Sequence, residues 1–342
     1  MKNIVVYKDE RFYSAFPDIK RLQNKDLVVA FREAPQRKPY STHIDSESRN
    51  VLIRSKDNGE TWEEKIIVLE SKNPDECFQD PSIAQLKDGT LLVNSFRWHV
   101  VKKEPFNHWV VGTFISRSLD NGYTWEGPVK VEVPNFESAG TSDSILELPN
   151  GELLIPLYGQ SVAFVLKSVD KGKTWRNLRI IASDPFGNFS FDEPAICSLA
   201  SGKILCMIRE DKRGYLYQSE SLDNGKTWSQ AKRTDMWGYP SHLLSLRDGR
   251  ILCSYGYRRP PYGVRACLSY DNGRTWDLRN EIILRSDGFH GDLGYPSSVE
   301  LEDNQILTVY YFHTEPTTLP PYDHFTRQEG TRYIAGTFYS LK

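Results

Sequence analysis

Apolar residues occur along this chain in short runs that come in pairs, and each pair is interrupted by a polar or glycine-containing turn. A typical pair is DPSIAQLKDGTLLVNSFR, in which Asp88 and Gly89 separate two apolar segments. Alternating runs flanking such a turn are typical of a two-stranded antiparallel hairpin. The pattern recurs over residues 16–32, 80–97, 142–158, 193–209, 239–258 and 295–313. The sequence therefore predicts six hairpins.

A turn motif, S-x-D-x-G-x-T-W, lies between successive hairpins. It occupies residues 55–62, 118–125, 168–175, 221–228 and 269–276. In such a motif the Asp accepts backbone N–H groups, the Gly supplies a positive φ and the Trp covers an apolar edge. The five aspartates are 63, 50, 53 and 48 residues apart, which is the period of a four-stranded propeller blade. We therefore predict an all-β, six-bladed propeller of four-stranded antiparallel blades.

The sixth blade has a hairpin but no turn motif of its own. The final segment, 332–342, supplies a third strand, and the apolar run at 3–7 has the right length for the missing outer strand. Pairing both chain ends in one blade closes the ring and removes exposed sheet edges. We expect one domain spanning residues 1–342.

Bulk composition argues against several classes of partner. The chain has 342 residues and a net charge of −2 without a basic run, which disfavours nucleic acid and anionic membranes. The first ten residues, MKNIVVYKDE, resemble neither a signal peptide nor a spanning helix, so we expect a cytoplasmic protein. Five cysteines do not indicate a disulfide framework, and the seven histidines are scattered, so we expect neither a metal nor a cofactor.

Polar residues concentrate where the hairpin ends meet, at the end of the ring that we call the mouth. Counting outward from each turn predicts that Asp80 faces Arg97, Tyr239 faces Arg258 and Pro17 faces Arg32. The same count places Glu193 opposite Arg209 or Glu210, and Tyr295 opposite Phe312. The predicted ring contains Arg32, Asp80, Arg97, Asp143, Tyr158, Glu193, Arg209, Tyr239, Arg258 and Tyr295. Cross-strand ion pairs such as Asp80 with Arg97 explain single members, whereas the whole set is typical of a ligand site.

Arg265 is a further candidate, because of its place in the third strand of its blade. Four residues before each motif serine the chain has Val51, Phe114, Phe164 and Tyr217, but Arg265 in the fifth blade. An arginine at a position that is otherwise apolar needs an anionic partner, either a ligand or a carboxylate.

These residues resemble those of the sialidase (neuraminidase) superfamily, and the resemblance covers essentially the whole chain. The turn motif resembles the Asp box of that superfamily, a structural device on the face opposite the active site. EPAICSLASGKILCMIR places Glu193 and Arg209 at the family's catalytic Glu and a clamp Arg. YGVRACLSYDNGRTW places Arg265 at a further clamp Arg, and GYPSSVELEDNQILTVYY places Tyr295 at the nucleophilic Tyr.

The resemblance implies a retaining exo-glycosidase in which Glu193 activates Tyr295 and arginines bind the carboxylate of an acidic sugar. It also implies an acid on the loop 33–50, for which Asp45 is the first choice and His43 and Glu47 are alternatives. Trp98, Trp109 and Trp237 are candidates for stacking on sugar faces.

One feature departs from the family pattern. The family's first hairpin opens with F/Y-R-I-P, but here Ala15 and Phe16 stand where the Arg and its neighbour belong. Arg32, Arg97 and Arg258 are candidates to replace that arginine. The departure keeps two alternatives open: a lyase or hydrolase for another acidic (uronic) sugar, and a non-catalytic carbohydrate-binding propeller.

Overall fold

The computed structural model describes residues 1–37, 41–101, 107–302, 304–314 and 330–341. Its strands form six four-stranded antiparallel sheets. The sheets are numbered here as blades 1 to 6 in the order in which their innermost strands occur in the chain. This arrangement confirms the predicted six-bladed, all-β propeller.

Blades 1 to 3 each run from the innermost to the outermost strand in chain order. Blade 1 contains Phe12–Arg21 (β2), Leu27–Pro35 (β3), Arg49–Ser55 (β4) and Ile66–Leu69 (β5). Blade 2 contains Glu76–Gln85 (β6), Leu91–Val100 (β7), His108–Ser118 (β8) and Glu126–Lys130 (β9). Blade 3 contains Leu146–Glu147 (β10), Leu153–Gly159 (β11), Val162–Ser168 (β12) and Arg176–Ala182 (β13).

Blades 4 and 5 repeat this order. Blade 4 contains Phe191–Ser198 (β14), Ile204–Glu210 (β15), Tyr215–Ser221 (β16) and Lys232–Trp237 (β17). Blade 5 contains Ser241–Ser245 (β18), Ile251–Tyr257 (β19), Tyr262–Ser269 (β20) and Ile282–Gly288 (β21). A short 3₁₀ helix, Leu278–Asn280, precedes β21, and no helix of the described ranges is long and apolar enough to span a membrane.

Blade 6 joins the two ends of the chain. It is built from Gly294–Glu300 (β22), Gln305–Phe312 (β23), Tyr333–Ser340 (β24) and the first strand of the chain, Lys2–Tyr7 (β1). Strand β1 pairs antiparallel with β24, from Lys2 opposite Phe338 to Tyr7 opposite Ile334. The predicted closure by the N-terminal strand is confirmed.

Both faces of the inner strands are apolar because each blade packs against two neighbours. In β3, Val28 and Ala30 pack toward blade 2, whereas Val29 and Phe31 pack toward blade 6. Apolar clusters of this kind lie between each pair of neighbouring blades. The five cysteines are unpaired and buried, as expected for small core residues.

The turn motifs connect the third and fourth strands, at the end of each blade that lies away from the mouth. In blade 2, Asp120 accepts hydrogen bonds from the Thr124 backbone N–H at 2.9 Å and from its hydroxyl at 2.6 Å. Gly122 has a φ of 89° and donates its N–H to Ser118. These hydrogen bonds lower the pKa of Asp120 to about 2. The carboxylate therefore stabilises the turn.

A bulge near the start of the innermost strand changes the predicted pairing. Four blades carry an X-Pro dipeptide there, and the residue before proline has a positive φ: Phe16 (56°), Asp80 (40°), Glu193 (45°) and Tyr295 (49°). The ladder register shifts across each dipeptide. A bulge adds a residue to one strand and redirects its side chain, and such backbone strain is often found at functional sites.

The predicted cross-strand pairs are therefore wrong by one or two residues. Arg97 lies opposite Phe78, Arg209 lies opposite Asp192, and Arg32 lies opposite Ala15. In blade 6, Gly294 lies opposite Tyr311. In blade 5 the Tyr239–Pro240 peptide is cis, and the Tyr239 N–H donates to the Gly256 carbonyl, so Tyr239 does not face Arg258 in the ladder.

Candidate active site

The floor of the mouth is built from one equivalent residue of each blade. In four blades it is the residue before the bulge proline, and the corresponding residues of blades 3 and 5 are Ser142 and Tyr239. In blade order the floor is Phe16, Asp80, Ser142, Glu193, Tyr239 and Tyr295. Blades 2 to 4 contribute its polar half, and blades 5, 6 and 1 contribute its aromatic half.

Tyr295 and Glu193 meet across this floor. The Tyr295 hydroxyl donates a short hydrogen bond to Oε1 of Glu193. Burial, and then the charge of Glu193, raise the pKa of Tyr295 well above its usual value, so the resting hydroxyl is neutral. In this contact the carboxylate is within reach of the hydroxyl proton, which is the geometry that a nucleophile and its base require.

Arg209 holds the other oxygen of the same carboxylate. Its Nη1 donates to Oε2 of Glu193 at 2.8 Å, and its Nε contacts Asp211. The guanidinium also lies 4.5 Å from the centre of the Tyr239 ring. Because both carboxylate oxygens have donors, the orientation of Glu193 toward Tyr295 is fixed from two sides.

Asp80 is a buried floor residue with a different partner from the predicted one. One of its oxygens accepts from the Ser142 hydroxyl at 3.1 Å, and no residue of the described ranges donates to Oδ1. Burial, reinforced by the charge of Glu193, raises the pKa of Asp80 well above its usual value. Its protonated form is therefore favoured beside the Tyr295–Glu193 pair.

Arg97 does not reach the floor. It forms an ion pair with Glu76 at 2.9 Å, and its guanidinium lies 3.9 Å from the centre of the Phe114 ring. The residue of β7 that corresponds to Arg209 is Phe96, and side chains alternate between the two faces of a strand. Arg97 therefore lies on the face of β7 that is turned toward blade 1, and the predicted Asp80–Arg97 ion pair is wrong.

Arg258 does reach the mouth. Its guanidinium lies 5.3 Å from the centre of the Tyr239 ring and 5.5 Å from that of Tyr295. Its Nε donates to the Leu293 carbonyl at 3.0 Å. Arg258 follows Gly256, the equivalent of Arg209, by two residues, so the strand alternation places both arginines on the same face.

Arg265 is held by the protein itself. Its Nη1 forms a short ion pair with Glu281, and its guanidinium lies 3.5 Å from the centre of the Tyr257 ring. It pairs in the ladder with Tyr255, whose hydroxyl also contacts Glu281. Glu281 is therefore the anionic partner that the sequence predicts for Arg265. Within the described ranges, the contacts of Arg265 do not include Tyr295 or Glu193.

Arg32 lies directly opposite Ala15, where the family's first arginine is missing. It is fully buried and lies 5.3 Å from the centre of the Tyr13 ring. Its Nη2 is 3.4 Å from the Thr42 carbonyl, while Nε and Nη1 have no partner in the described part of the chain. Phe16, rather than an arginine, faces Tyr295, with ring centres 4.7 Å apart.

The loop of blade 1 places the three candidate acids in different surroundings; its residues 38–40 lie outside the described ranges. Asp45 accepts from Nε and Nη2 of Arg37 at 2.8 and 3.1 Å. Burial raises the pKa of Asp45, but these bonds outweigh burial and leave it below its usual value. Glu47 is largely exposed and also pairs with Arg37. His43 is buried, with Nε2 at 2.7 Å from Asp292.

The other predicted residues surround the floor. The Ser142 hydroxyl lies 3.4 Å from that of Tyr158, and Asp143 accepts from the Ile196 N–H at 2.7 Å. Trp237 lies beside Tyr239, with ring centres 6.1 Å apart. Trp98 packs edge-on against Phe96 and His108, whereas Trp109 is half exposed and stacks on His99.

Sequence reasoning missed Asp292. It is fully buried between blades 1 and 6, and it accepts hydrogen bonds from Tyr13, Tyr311 and Arg332 in addition to its contact with His43. Its donors lie up to 279 residues away along the chain, so no local motif marks it. Within the described ranges, no cluster of His, Cys, Asp or Glu side chains has the geometry of a metal site.

This chain is similar to known proteins in both sequence and fold. A family model for a BNR repeat-like domain matches residues 26–309. A sialidase from Paraclostridium sordellii is 24% identical over 60% of this chain, and the match spans 58% of that protein. A Dyadobacter fermentans protein of unknown function is 30% identical, with a TM-score of 0.87 over 100% of this chain and 98% of its own. The intramolecular trans-sialidase of Ruminococcus gnavus shares the fold at 15% identity, with a TM-score of 0.71 and coverage of 99% and 96%.

Proposed function

Because this chain belongs to the BNR repeat-like family of the sialidase superfamily, we propose that it is a retaining glycoside hydrolase that removes an acidic sugar from the end of a glycan. The contact between Tyr295 and Glu193 is the observation that supports this proposal most directly. A buried tyrosine that donates to a carboxylate has the arrangement of an activated nucleophile.

In the first step the Tyr295 oxygen attacks the anomeric carbon while its proton passes to Oε1 of Glu193. The bond from that carbon to the leaving-group oxygen breaks, and an acid protonates the leaving oxygen. In the second step water displaces the tyrosine oxygen, and Glu193 returns its proton to Tyr295. A neutral tyrosine suits an anionic sugar, because a carboxylate nucleophile would be repelled by the carboxylate of the substrate.

The acidity of the sugar is inferred from two arginines. Arg209 and Arg258 both lie against Tyr239, with guanidinium centres 4.5 and 5.3 Å from its ring centre. A guanidinium offers the paired donors that match a carboxylate. Ala15 stands where the family's first arginine is expected, and Phe16 beside it faces Tyr295; this difference favours an acidic sugar other than the commonest sialosides, including a uronic acid.

Asp45 remains the proposed acid, for a geometric reason. Asp80 lies on the floor with Tyr295, whereas the leaving group must depart from the opposite face of the sugar in the first displacement. The loop carrying Asp45 lies at the rim of the mouth. Held by Arg37, Asp45 is ionised, which is the form that activates water in the second step. For the first step, substrate binding must loosen the contact with Arg37, so that Asp45 takes up a proton from solvent and can then donate it to the leaving oxygen.

The test is a screen of sialosides, uronides and other acidic glycosides, followed by mass spectrometry for a sugar trapped on Tyr295. We expect turnover of at least one class and a sugar adduct on that residue. Binding without turnover across the screen would favour the carbohydrate-binding alternative, and turnover without a Tyr295 adduct would contradict the proposed nucleophile.

A further inference from the structure

Asp292 is an ionised carboxylate buried beneath the mouth. Arg332 Nε and the Tyr13 hydroxyl donate to its Oδ2 at 2.7 and 2.8 Å. The Tyr311 hydroxyl donates to Oδ1 at 3.0 Å, and His43 Nε2 lies 2.7 Å from the same oxygen. Burial raises the pKa of Asp292, but Arg332 and His43 outweigh it and hold the pKa well below the usual value. A buried charge of this kind is tolerated only because donors surround it.

Tyr311 links this carboxylate to Arg258. Because the Tyr311 hydrogen is directed at Asp292, the lone pairs of the same oxygen are free to accept. Arg258 Nη2 lies 3.3 Å from that oxygen, and Arg258 Nε donates to the carbonyl of Leu293, the residue after Asp292. Two neighbouring acceptors therefore fix one edge of the guanidinium.

The fixed guanidinium lies beside Tyr295 and Tyr239. Its centre is 5.5 Å from the Tyr295 ring centre and 5.3 Å from that of Tyr239. Without Asp292 the Tyr311 hydroxyl could rotate and direct its hydrogen at Arg258. The O–H of Tyr311 and the N–H of Arg258 are both donors, so they could then form no hydrogen bond with each other. Asp292 removes that rotamer, because an ionised carboxylate is a much stronger acceptor than any competing group.

We propose that Asp292, acting through Tyr311, is a positioning residue that directs Arg258 at the anionic group of the substrate. The contacts of Tyr311 with Asp292 and with Arg258 support the positioning role. The identity of the anion rests on the proposed function. Asp292 itself has no exposed surface and contacts no substrate.

The experiment compares Tyr311→Phe with Tyr13→Phe. Both tyrosines are fully buried and donate their hydroxyl to Asp292, but only the Tyr311 oxygen contacts Arg258. A merely structural role of the carboxylate predicts equal effects of the two changes. Asp292→Asn is the direct variant, but it also weakens the Arg332 contact, so the tyrosine pair decides the question if Asp292→Asn fails to fold.

Two measurements are made on the full chain: the dissociation constants of N-acetylneuraminic acid and glucuronic acid, and crystal structures of both tyrosine variants. We expect Tyr311→Phe to weaken binding of the preferred acid about tenfold and to displace the Arg258 guanidinium. Tyr13→Phe should change the dissociation constant less than about twofold and leave Arg258 in place. Equal losses of affinity, or an undisplaced Arg258 in Tyr311→Phe, would overturn the inference. The two results can also separate. If Tyr311→Phe displaces Arg258 but the wild-type protein binds neither acid, the positioning role is supported and the proposed function is contradicted.

Discussion

The hydroxyl of Tyr295, in the sixth blade, donates to Glu193, in the fourth blade, 102 residues earlier in the chain. Both residues precede a proline in a bulge, and both have a positive φ. The same local distortion in two separate blades therefore directs the proposed nucleophile and its proposed base toward each other.

Tyr295→Phe should abolish turnover while changing ligand affinity by no more than about tenfold, because the hydroxyl forms the bond to the sugar and contributes little to binding. Steady-state kinetics and titration calorimetry measure the two effects. The control is Tyr310→Phe, since the Tyr310 hydroxyl is buried against Thr337 on the same blade and should affect stability alone. Full turnover by Tyr295→Phe would exclude the proposed nucleophile.

Asp45→Asn and Asp80→Asn should differ in their dependence on the leaving group. If Asp45 protonates the departing oxygen, Asp45→Asn will slow a saccharide leaving group far more than an activated aryl group that needs no proton. Asp80→Asn should slow the hydrolysis of both substrates by a similar factor, because Asp80 lies on the floor with Tyr295, on the face of the sugar opposite the leaving group. The two substrates must carry the same acidic sugar. If Asp80→Asn instead slows the saccharide leaving group far more than the aryl group, while Asp45→Asn slows both equally, the acid is Asp80 and not Asp45.

Arg265→Met should lower stability but not activity. It leaves Glu281 without its cation in a largely buried site, at a cost of about 1–3 kcal/mol in the free energy of unfolding. We expect kcat/KM to change less than about twofold, since Arg265 contacts Glu281 and Tyr257 rather than the floor. Arg209→Met is the matched change at the mouth, and it should abolish most activity. A large loss of activity in a folded Arg265→Met protein would contradict this assignment.

Deleting residues 1–8 should destabilise the whole ring. The deletion exposes the edge of β24 and removes the buried Val6 and the contact of Asn3 with Thr337. Thermal unfolding of the truncated chain should shift to lower temperature in a single step. Val5→Thr tests an exposed side chain of the same strand and should have little effect. An unchanged melting temperature after the deletion would show that the closure contributes no stability.

Asp143 should make stability depend on pH. Burial raises the pKa of Asp143 to about 7 in the folded chain, from about 3.9 in an unfolded chain. The folded state therefore holds this proton more tightly, so its contribution is full below pH about 4 and is lost as the pH rises through about 7.

The measurement is chemical denaturation of the wild type and of Asp143→Asn across this pH range. The amide oxygen of the variant keeps an acceptor for the Ile196 N–H, so the contact itself is preserved. We expect the wild type to lose stability relative to the variant between pH about 4 and 7. A constant difference between the two proteins would contradict the raised pKa.

The site could be predicted from sequence only in part. Glu193, Arg209 and Tyr295 were found because they stand at matching places in repeated hairpins, and Asp80 because it opens an equivalent strand. Arg97 is predicted by the same hairpin reasoning, but its contacts are with Glu76 and Phe114 rather than with the floor. Arg265 is predicted because it replaces an apolar residue in a third strand, and its anionic partner is Glu281. Asp292 has no local signal, since its partners are 19 to 279 residues away in blades 6 and 1.

The amino-acid sequence alone predicts the number of blades, the position of each hairpin and turn motif, and the closure of the ring. These features follow from local patterns, the period of the repeat and the apolar residues on both faces of each strand. Which charged residues meet depends on how the strands and blades pack. A shift of one residue moves a side chain to the other face of a strand, and the X-Pro bulges make that shift in the strands that form the floor. Contacts such as Tyr295 with Glu193, or Asp292 with Tyr13, exist only after separate blades have packed around one axis.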